Sequence, residues 1–287
     1  MKLLQILIIF GLLSVISCEK NEPQHFSNPV FKIGDNVEFN YNDFELYDSS
    51  TKILYFKSYH PEFVNYKESE FTLFADTVLI YSGCFWPAYS SAIPSTPYIS
   101  SAPFYYQNHA LGFEYLIQNN PDPRNDSRLM SAFKENNLLH AGLSVSIESL
   151  LIDGTQVSLS CIVINHDKDD LYILDYNKMG INLFHYYTNG LVFVNRTQPE
   201  IVYCIINPQS PVPYDSWKMD WLSLLKSGNS IQLEINYNLA NPLKNGTYVA
   251  YFNFPGLNYQ ISKDDLSQEN GRIWLGEVTG SKKIIIQ

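Results

Sequence analysis

The stretch Leu143–Val163, LSVSIESLLIDGTQVSLSCIV, decides the fold class. Leu143, Val145 and Ile147 alternate with Ser144, Ser146 and Glu148, the period-2 pattern of a strand with one buried face. Asp153-Gly154 follows, a pair suited to the positive φ angles of a tight turn. Val157, Leu159, Cys161 and Val163 then fall at every second position again, with Ser158 and Ser160 between the first three. The stretch reads as an antiparallel hairpin.

Working toward the C-terminus, Leu183–Tyr187 and Leu191–Val194 flank Asn189-Gly190 and predict a second hairpin. Ile201–Ile206 and the alternating Ile231, Leu233, Ile235 and Tyr237 predict further strands. Asn245-Gly246 turns the chain into a strand over Thr247–Phe254, and Ile273–Val278 and Lys282–Ile286 close it. Trp217, Trp221, Leu224 and Leu225 fall at i, i+4, i+7 and i+8 between Asp215, a cap, and Gly228, a stop. That spacing predicts a short amphipathic helix. Lys263–Glu269 predicts one or two helical turns. Short strands with turn signals between them are the spacing of an antiparallel sandwich, here over residues 141–287.

Leu243–Tyr251, LKNGTYVAY, resembles the E–F corner of immunoglobulin-like (Ig-like) domains. The resemblance implies an Ig-like β-sandwich in which Tyr248, at the start of strand F, bonds back to upstream backbone. The Cys–Trp–Cys framework of antibody domains is missing, so the resemblance is to the broad bacterial Ig-like class.

Working toward the N-terminus, residues 31–140 also read as β-rich, so the chain is mainly β. Strands are predicted at Lys52–Phe56 and Leu111–Ile117, and a hairpin pairs Phe71–Phe74 with Thr77–Tyr81. Asn125, Asp126 and Ser127 offer an N-cap for a helix near 126–138. This region is either a separate domain or an elaboration of the same sandwich.

Residues 84–106 break the pattern with Pro87, Pro94, Pro97 and Pro103 and read as a long loop. Its aromatics Phe85, Trp86, Tyr89, Tyr105 and Tyr106 are the candidate ligand-binding residues. Sugar rings stack on exposed aromatic faces; the competing expectation is that these rings pack inward and anchor the loop.

The chain opens with Met1-Lys2, an apolar run Leu3–Ile16 and Ser17-Cys18. A basic residue, a short apolar core and a small residue before a cut predict a signal peptide over 1–17. Val15-Ile16-Ser17-Cys18 resembles the lipobox of bacterial lipoproteins. That implies acylation of Cys18 by palmitate-type chains and a membrane anchor, followed by a polar tether over 18–30. Glu19–Glu22 resembles the export signal of Bacteroidota surface lipoproteins, which implies an outer-membrane, surface-exposed location in the cell envelope.

A net charge of −10 with no basic run excludes nucleic acid as a partner. Aromatic content is 15%, explained equally by sheet propensity and by binding surfaces. Cys84, Cys161 and Cys204 cannot all pair, so this is no disulfide scaffold; at most one bridge forms, Cys161 with Cys204 left open, and buried free thiols are the favoured expectation. No G-x-S-x-G elbow and no H-E-x-x-H motif occurs, the six histidines are scattered as surface or packing residues, and Asp167–Asp170 reads as a solvated turn. No catalytic, metal or cofactor site is expected.

The expected function is a lipid-anchored, non-catalytic binding module with glycan as its ligand class. An envelope protein partner, in a protein-interaction or assembly role, is the alternative. A hydrolase with dispersed acids ranks third, because carboxylate spacing is set in three dimensions. Mass spectrometry of the mature N-terminus is expected to find Cys18 first and acylated; an unmodified Cys18 or a Glu19 start would contradict the lipobox reading.

Overall fold

The computed structural model describes residues 29–66, 69–87, 89–92, 94–101, 108–116, 121–198, 200–214, 216–257 and 261–287. Cys18, Tyr105 and Tyr106 lie outside them.

The hairpin forms as its pattern dictates. Leu143–Asp153 pairs antiparallel with Gln156–Asn165, and Gly154 takes a φ of +59 in the turn. A bulge at Glu148 shifts the register, so Ile147 faces Cys161 but Leu150 faces Leu159. Ser230–Asn238 adds a third strand, with Leu233, Ile235 and Tyr237 opposite Cys161, Leu159 and Val157. A four-stranded antiparallel sheet follows in the order 201–203, 191–195, 246–255, 277–286. Its inward residues Leu191, Phe193, Ala250, Phe252 and Phe254 share one continuous core with the inward row of the first sheet. Tyr248 is fully buried, and its hydroxyl donates to the Lys244 carbonyl at 3.1 Å.

Three excursions leave this pair of sheets, between 165 and 191, 203 and 230, and 255 and 277. They meet in a small mixed sheet of order 222–225, 171–174, 271–273, 267–268. The structure corrects the sequence reading here. Leu183–Tyr187 is no hairpin arm: Tyr176–Met179 and Ile181–Phe184 are short helices. The helix expected around Trp217–Leu225 is a single 3-10 turn, Met219–Trp221, running into strand Leu222–Leu225. That strand needs its backbone groups for Leu171–Leu174, and the ladder wins over local helical spacing. Lys263–Leu266 is one helical turn.

The N-terminal region holds two more sheets. One has the order 37–39, 31–33, 70–75, 78–86, 98–100; the other, 110–112, 53–56, 44–48, 139–140. The 84–106 segment is therefore less irregular than expected: one strand runs through Trp86, and Tyr98–Ser100 pairs beside it. Among the described residues, the strand expected over Leu111–Ile117 is Ala110–Gly112 with a further bridge at Glu114; Ile117 lies outside them. Helix Ser127–Glu135 starts where Asp126 accepts the Arg128 amide at 2.9 Å and buries Leu129 and Phe133. Phe133 stacks on Tyr47 at 4.6 Å, and Phe31 touches Phe39, Phe56, Phe71 and Phe113. Much of the aromatic excess is spent inside this core.

The two cores share a sheet. Every residue of Ile53–Phe56 is buried. Leu54 and Phe56 enter the N-terminal core, whereas Ile53 and Tyr55, with Leu46 and Ala110, enter the C-terminal one. Period-2 alternation puts successive side chains on opposite faces, so one strand serves both.

At the seam lies a buried ionic network. Arg272 Nη2 donates to Asp48 Oδ2 at 3.0 Å and to Asp167 Oδ2 at 2.9 Å. Asp167 Oδ1 lies 2.8 Å from His140 Nδ1, and its Oδ2 accepts the Gly142 amide at 3.2 Å. Asp48 Oδ1 accepts from the Ser50 amide and hydroxyl at 3.0 and 2.6 Å. The side chains of Asp48 and Asp167 have no exposed surface. Gly142 has a φ of +65, and a Cβ there would stand 2.3 Å from Asp48 Oδ1, so only glycine lets the chain pass. The expectation of a solvated turn at Asp167–Asp170 is corrected at Asp167, and His140 is more than a packing residue. Burial disfavours the charge on Asp167, but the His140 hydrogen bond and the Arg272 charge outweigh it and hold its carboxyl well below the usual range.

Arg272→Met strands two buried carboxylates without their cation. The expected loss is about 3–5 kcal/mol in urea unfolding at pH 7; a loss under about 1 kcal/mol would contradict the role given to Arg272.

Candidate functional site

A cleft of about 830 Å³ opens beside this seam. Ser100 and the segment Gly112–Leu116 line its N-terminal wall; Ser144, Tyr187, Asn189 and Glu277–Thr279 line the other. Lys52 and Arg124 complete it.

Glu114 is placed by the short strand Ala110–Gly112 and by buried Phe113. It pairs with Tyr98 through two backbone hydrogen bonds of 2.7 and 2.9 Å. Its carboxylate accepts from the Tyr98 hydroxyl at 2.9 Å and the Ser100 hydroxyl at 2.6 Å. Glu277 opens the last strand, directly after Gly276. Gly276 has a φ of +95, and a Cβ there would come within 2.9 Å of Ile53 and Thr51. That close approach brings Glu277 to the N-terminal wall.

Glu277 is solvent-exposed at the mouth of the cleft, yet its carboxyl is pushed above the usual range. The leading cause is partial desolvation of the carboxyl by the surrounding protein; the second is the charge of Glu114. The two basic groups are committed elsewhere. Arg124 forks onto Asp122 through Nε at 2.9 Å and Nη2 at 2.7 Å, and donates to the Phe113 carbonyl at 2.5 Å. Lys52 Nζ donates to the Ser49 carbonyl at 2.5 Å. Desolvation, with Arg124 second, holds the Lys52 pKa below its ordinary value.

The aromatic candidates divide. Phe85 is fully buried against Phe71 and Tyr66, so it faces the core and no ligand. Tyr89 is 79% exposed. Trp86 is half-buried, and its indole donates to the Ala92 carbonyl at 3.1 Å. Trp86 is the register partner of Ser100, so it leaves the sheet on the face that carries Ser100 toward Glu114. Cys161 and Cys204 are free buried thiols whose pKa burial pushes up to about 12; Cys84 is half-buried.

His140, Asp167 and Asp169 gather ligand-type atoms within 4.8 Å of one another. Arg272 and His140 already share the Asp167 charge, so the trio belongs to the seam network. Among the described residues, no helix is long and apolar enough to cross a membrane. Comparison with protein-family models, curated proteins and solved structures finds no match to this chain.

Sequence reasoning missed Glu114 and Glu277. Each is a single acid in an ordinary context, and only the fold brings them to one cleft.

Glu277→Gln removes a like charge. A raised carboxyl pKa adds to stability only while the group is protonated, and that contribution is lost as pH rises through the folded-state value. The variant is therefore expected to show a higher urea midpoint than the parent at pH 7 and the same midpoint at pH 3. A lower midpoint at pH 7 would show that the Glu277 charge is needed for folding.

Proposed function

We propose that the protein is a lipid-anchored envelope binding protein that holds a glycan in the cleft between its two cores. The observation that carries this reading is the cleft itself. Its volume falls in the range of about 300–1,000 Å³ typical of ligand sites, and it lies at the junction of two cores, where such sites concentrate. Its walls combine hydroxyl, amide and carboxylate groups with the rings of Tyr115 and Tyr187. A sugar ring, polar at its edges and apolar on its faces, matches that lining.

The C-terminal sheets fit an Ig-like sandwich. The strands at 143, 156 and 230 take the order A–B–E, and those at 277, 246, 191 and 201 take the order G–F–C–C′. The Tyr248–Lys244 bond is the corner bond of that class. Acylated Cys18 is the anchor in this reading, and the tether after it presents the head outside the membrane, at the cell surface.

Binding to an envelope protein is the second reading. Ile201 and Tyr203 are exposed along the edge strand at 201–203, which offers unpaired backbone to a partner strand.

Glycan-array binding followed by titration tests the main reading. Tyr115→Ala with Asn189→Ala is expected to weaken the best array ligand at least tenfold, about 1.4 kcal/mol, with the thermal midpoint little changed. Unchanged affinity in that variant would remove the cleft as the site. Loss of a defined envelope partner on Tyr203→Asp, with no glycan bound by the parent, would favour the second reading.

A further inference from the structure

We propose that the sheet edge at 201–203 pairs with the same edge of a second copy of this chain, in a twofold antiparallel ladder centred on Val202. The assignment is independent of the glycan reading of the cleft.

The backbone comes first. Strand 201–203 is the outer strand of its sheet. The Asn195 amide donates to the Glu200 carbonyl at 2.9 Å, and the Cys204 amide to the Leu191 carbonyl at 3.1 Å. Glu200, Val202 and Cys204 therefore face the strand 191–195. The alternation of an antiparallel ladder turns the N–H and C=O of Ile201 and Tyr203 the other way. Among the described residues, those groups find no hydrogen-bond partner. Edge strands are commonly blunted by charge, and this one is not. The chain has a net charge of −10, yet no charged residue occurs from Ile201 to Tyr214. Glu200, just before the strand, is paired with Lys244 at 3.5 Å. Ile201 and Tyr203 are 54% and 60% exposed. Two copies of an acidic chain can meet here without opposing like charges.

The occupant follows from chemistry and register. A lipid interior does not accept open N–H and C=O groups, so the edge is not a membrane contact. A foreign partner steered by charge finds none along Ile201–Tyr214 to pair with. A second copy fits, and in one register. Centred on Val202, the ladder sets Ile201 opposite the partner's Tyr203, and Tyr203 opposite the partner's Ile201. Each outward donor then meets an outward acceptor, with none left over. Centred on Ile201, it would set Tyr203 against the partner's Pro199, which has no N–H. Centred on Tyr203, it would set Ile201 against the partner's Ile205, whose N–H is already spent on the Asn238 carbonyl at 2.7 Å. The Val202 register also joins Ile201 and Tyr203 as β-branched and aromatic cross-strand neighbours. Their rows continue over the outer face, through Val194 and Val249 beside Ile201 and through Val192 and Tyr251 beside Tyr203. A contact this short belongs to the weak, reversible class of interface.

Disulfide trapping of the full chain, in the cells that produce it, tests the register. On the axis the two Val202 Cα atoms stand about 4.5 Å apart, within disulfide reach. Ile201 and its own copy lie on a diagonal of about 7–8 Å, beyond it. After oxidation, Val202→Cys is expected to give a band at twice the monomer mass, at least about fivefold stronger than Ile201→Cys or the parent, whose native thiols set the background. Should Val202→Cys not fold, the exposed pair Ile201→Cys with Tyr203→Cys, opposed at about 5.5 Å, gives the same band. Adding Tyr203→Lys to Val202→Cys is expected to cut the band at least about fivefold with the thermal midpoint little changed. No dimer band from the folded variants, an equally strong band from Ile201→Cys alone, or a band that survives Tyr203→Lys overturns the pairing. A trapped adduct at another mass also overturns it, in favour of a foreign strand on this edge. None of these outcomes touches the cleft.

Discussion

The ionic contact of Arg272 with Asp48 and Asp167 is the constraint on which the rest of the structure depends. Its members come from elements far apart in the chain: the end of one N-terminal strand, the turn that leaves the first C-terminal hairpin, and the last excursion before the final strand. Moving any of these segments leaves a charge in a place without water, and a lone buried charge is among the costliest faults a fold can carry. His140, Gly142 and Ser50 complete the satisfaction of the two carboxylates. A buried ion pair of this kind need not add stability over an apolar filling, but it fixes which segments meet. The seam is thereby specified as well as packed.

The shared sheet does the complementary apolar work. Ile53–Phe56 sends side chains into both cores, so neither core closes without it. The cleft follows from this arrangement. It lies beside the junction, and the segments Gly112–Leu116 and Glu277–Thr279 supply its walls.

How much of this was legible in the sequence depends on how local the signal is. The hairpin at Leu143–Asn165, the strand at Ser230–Asn238 and the helix capped by Asp126 each carry their pattern within a dozen residues, and each formed as read. The Tyr248 corner bond was legible for the same reason. Reading failed in the excursions. Leu222–Leu225 is a short strand with buried residues on both faces, and its apolar run imitates helical spacing. The strand running through Trp86 was hidden by the prolines that follow it. The site was less legible than the fold. Phe85 was offered to ligand by its neighbours in sequence but is claimed by the aromatic core. Glu114, Glu277 and the members of the Arg272 network carry no local mark, because their meaning is distance in space.

A shared strand and a shared ionic contact tie the two cores into one cooperative body beside the cleft. Native-state hydrogen exchange under rising urea tests it directly, by comparing amides of the strand Ile53–Phe56 with those of the strand Gln156–Asn165. Both sets are expected to open with the same free energy and the same urea dependence, as parts of one unfolding event. Opening of the N-terminal strands at a distinctly lower free energy, with the C-terminal hairpin still protected, would contradict it.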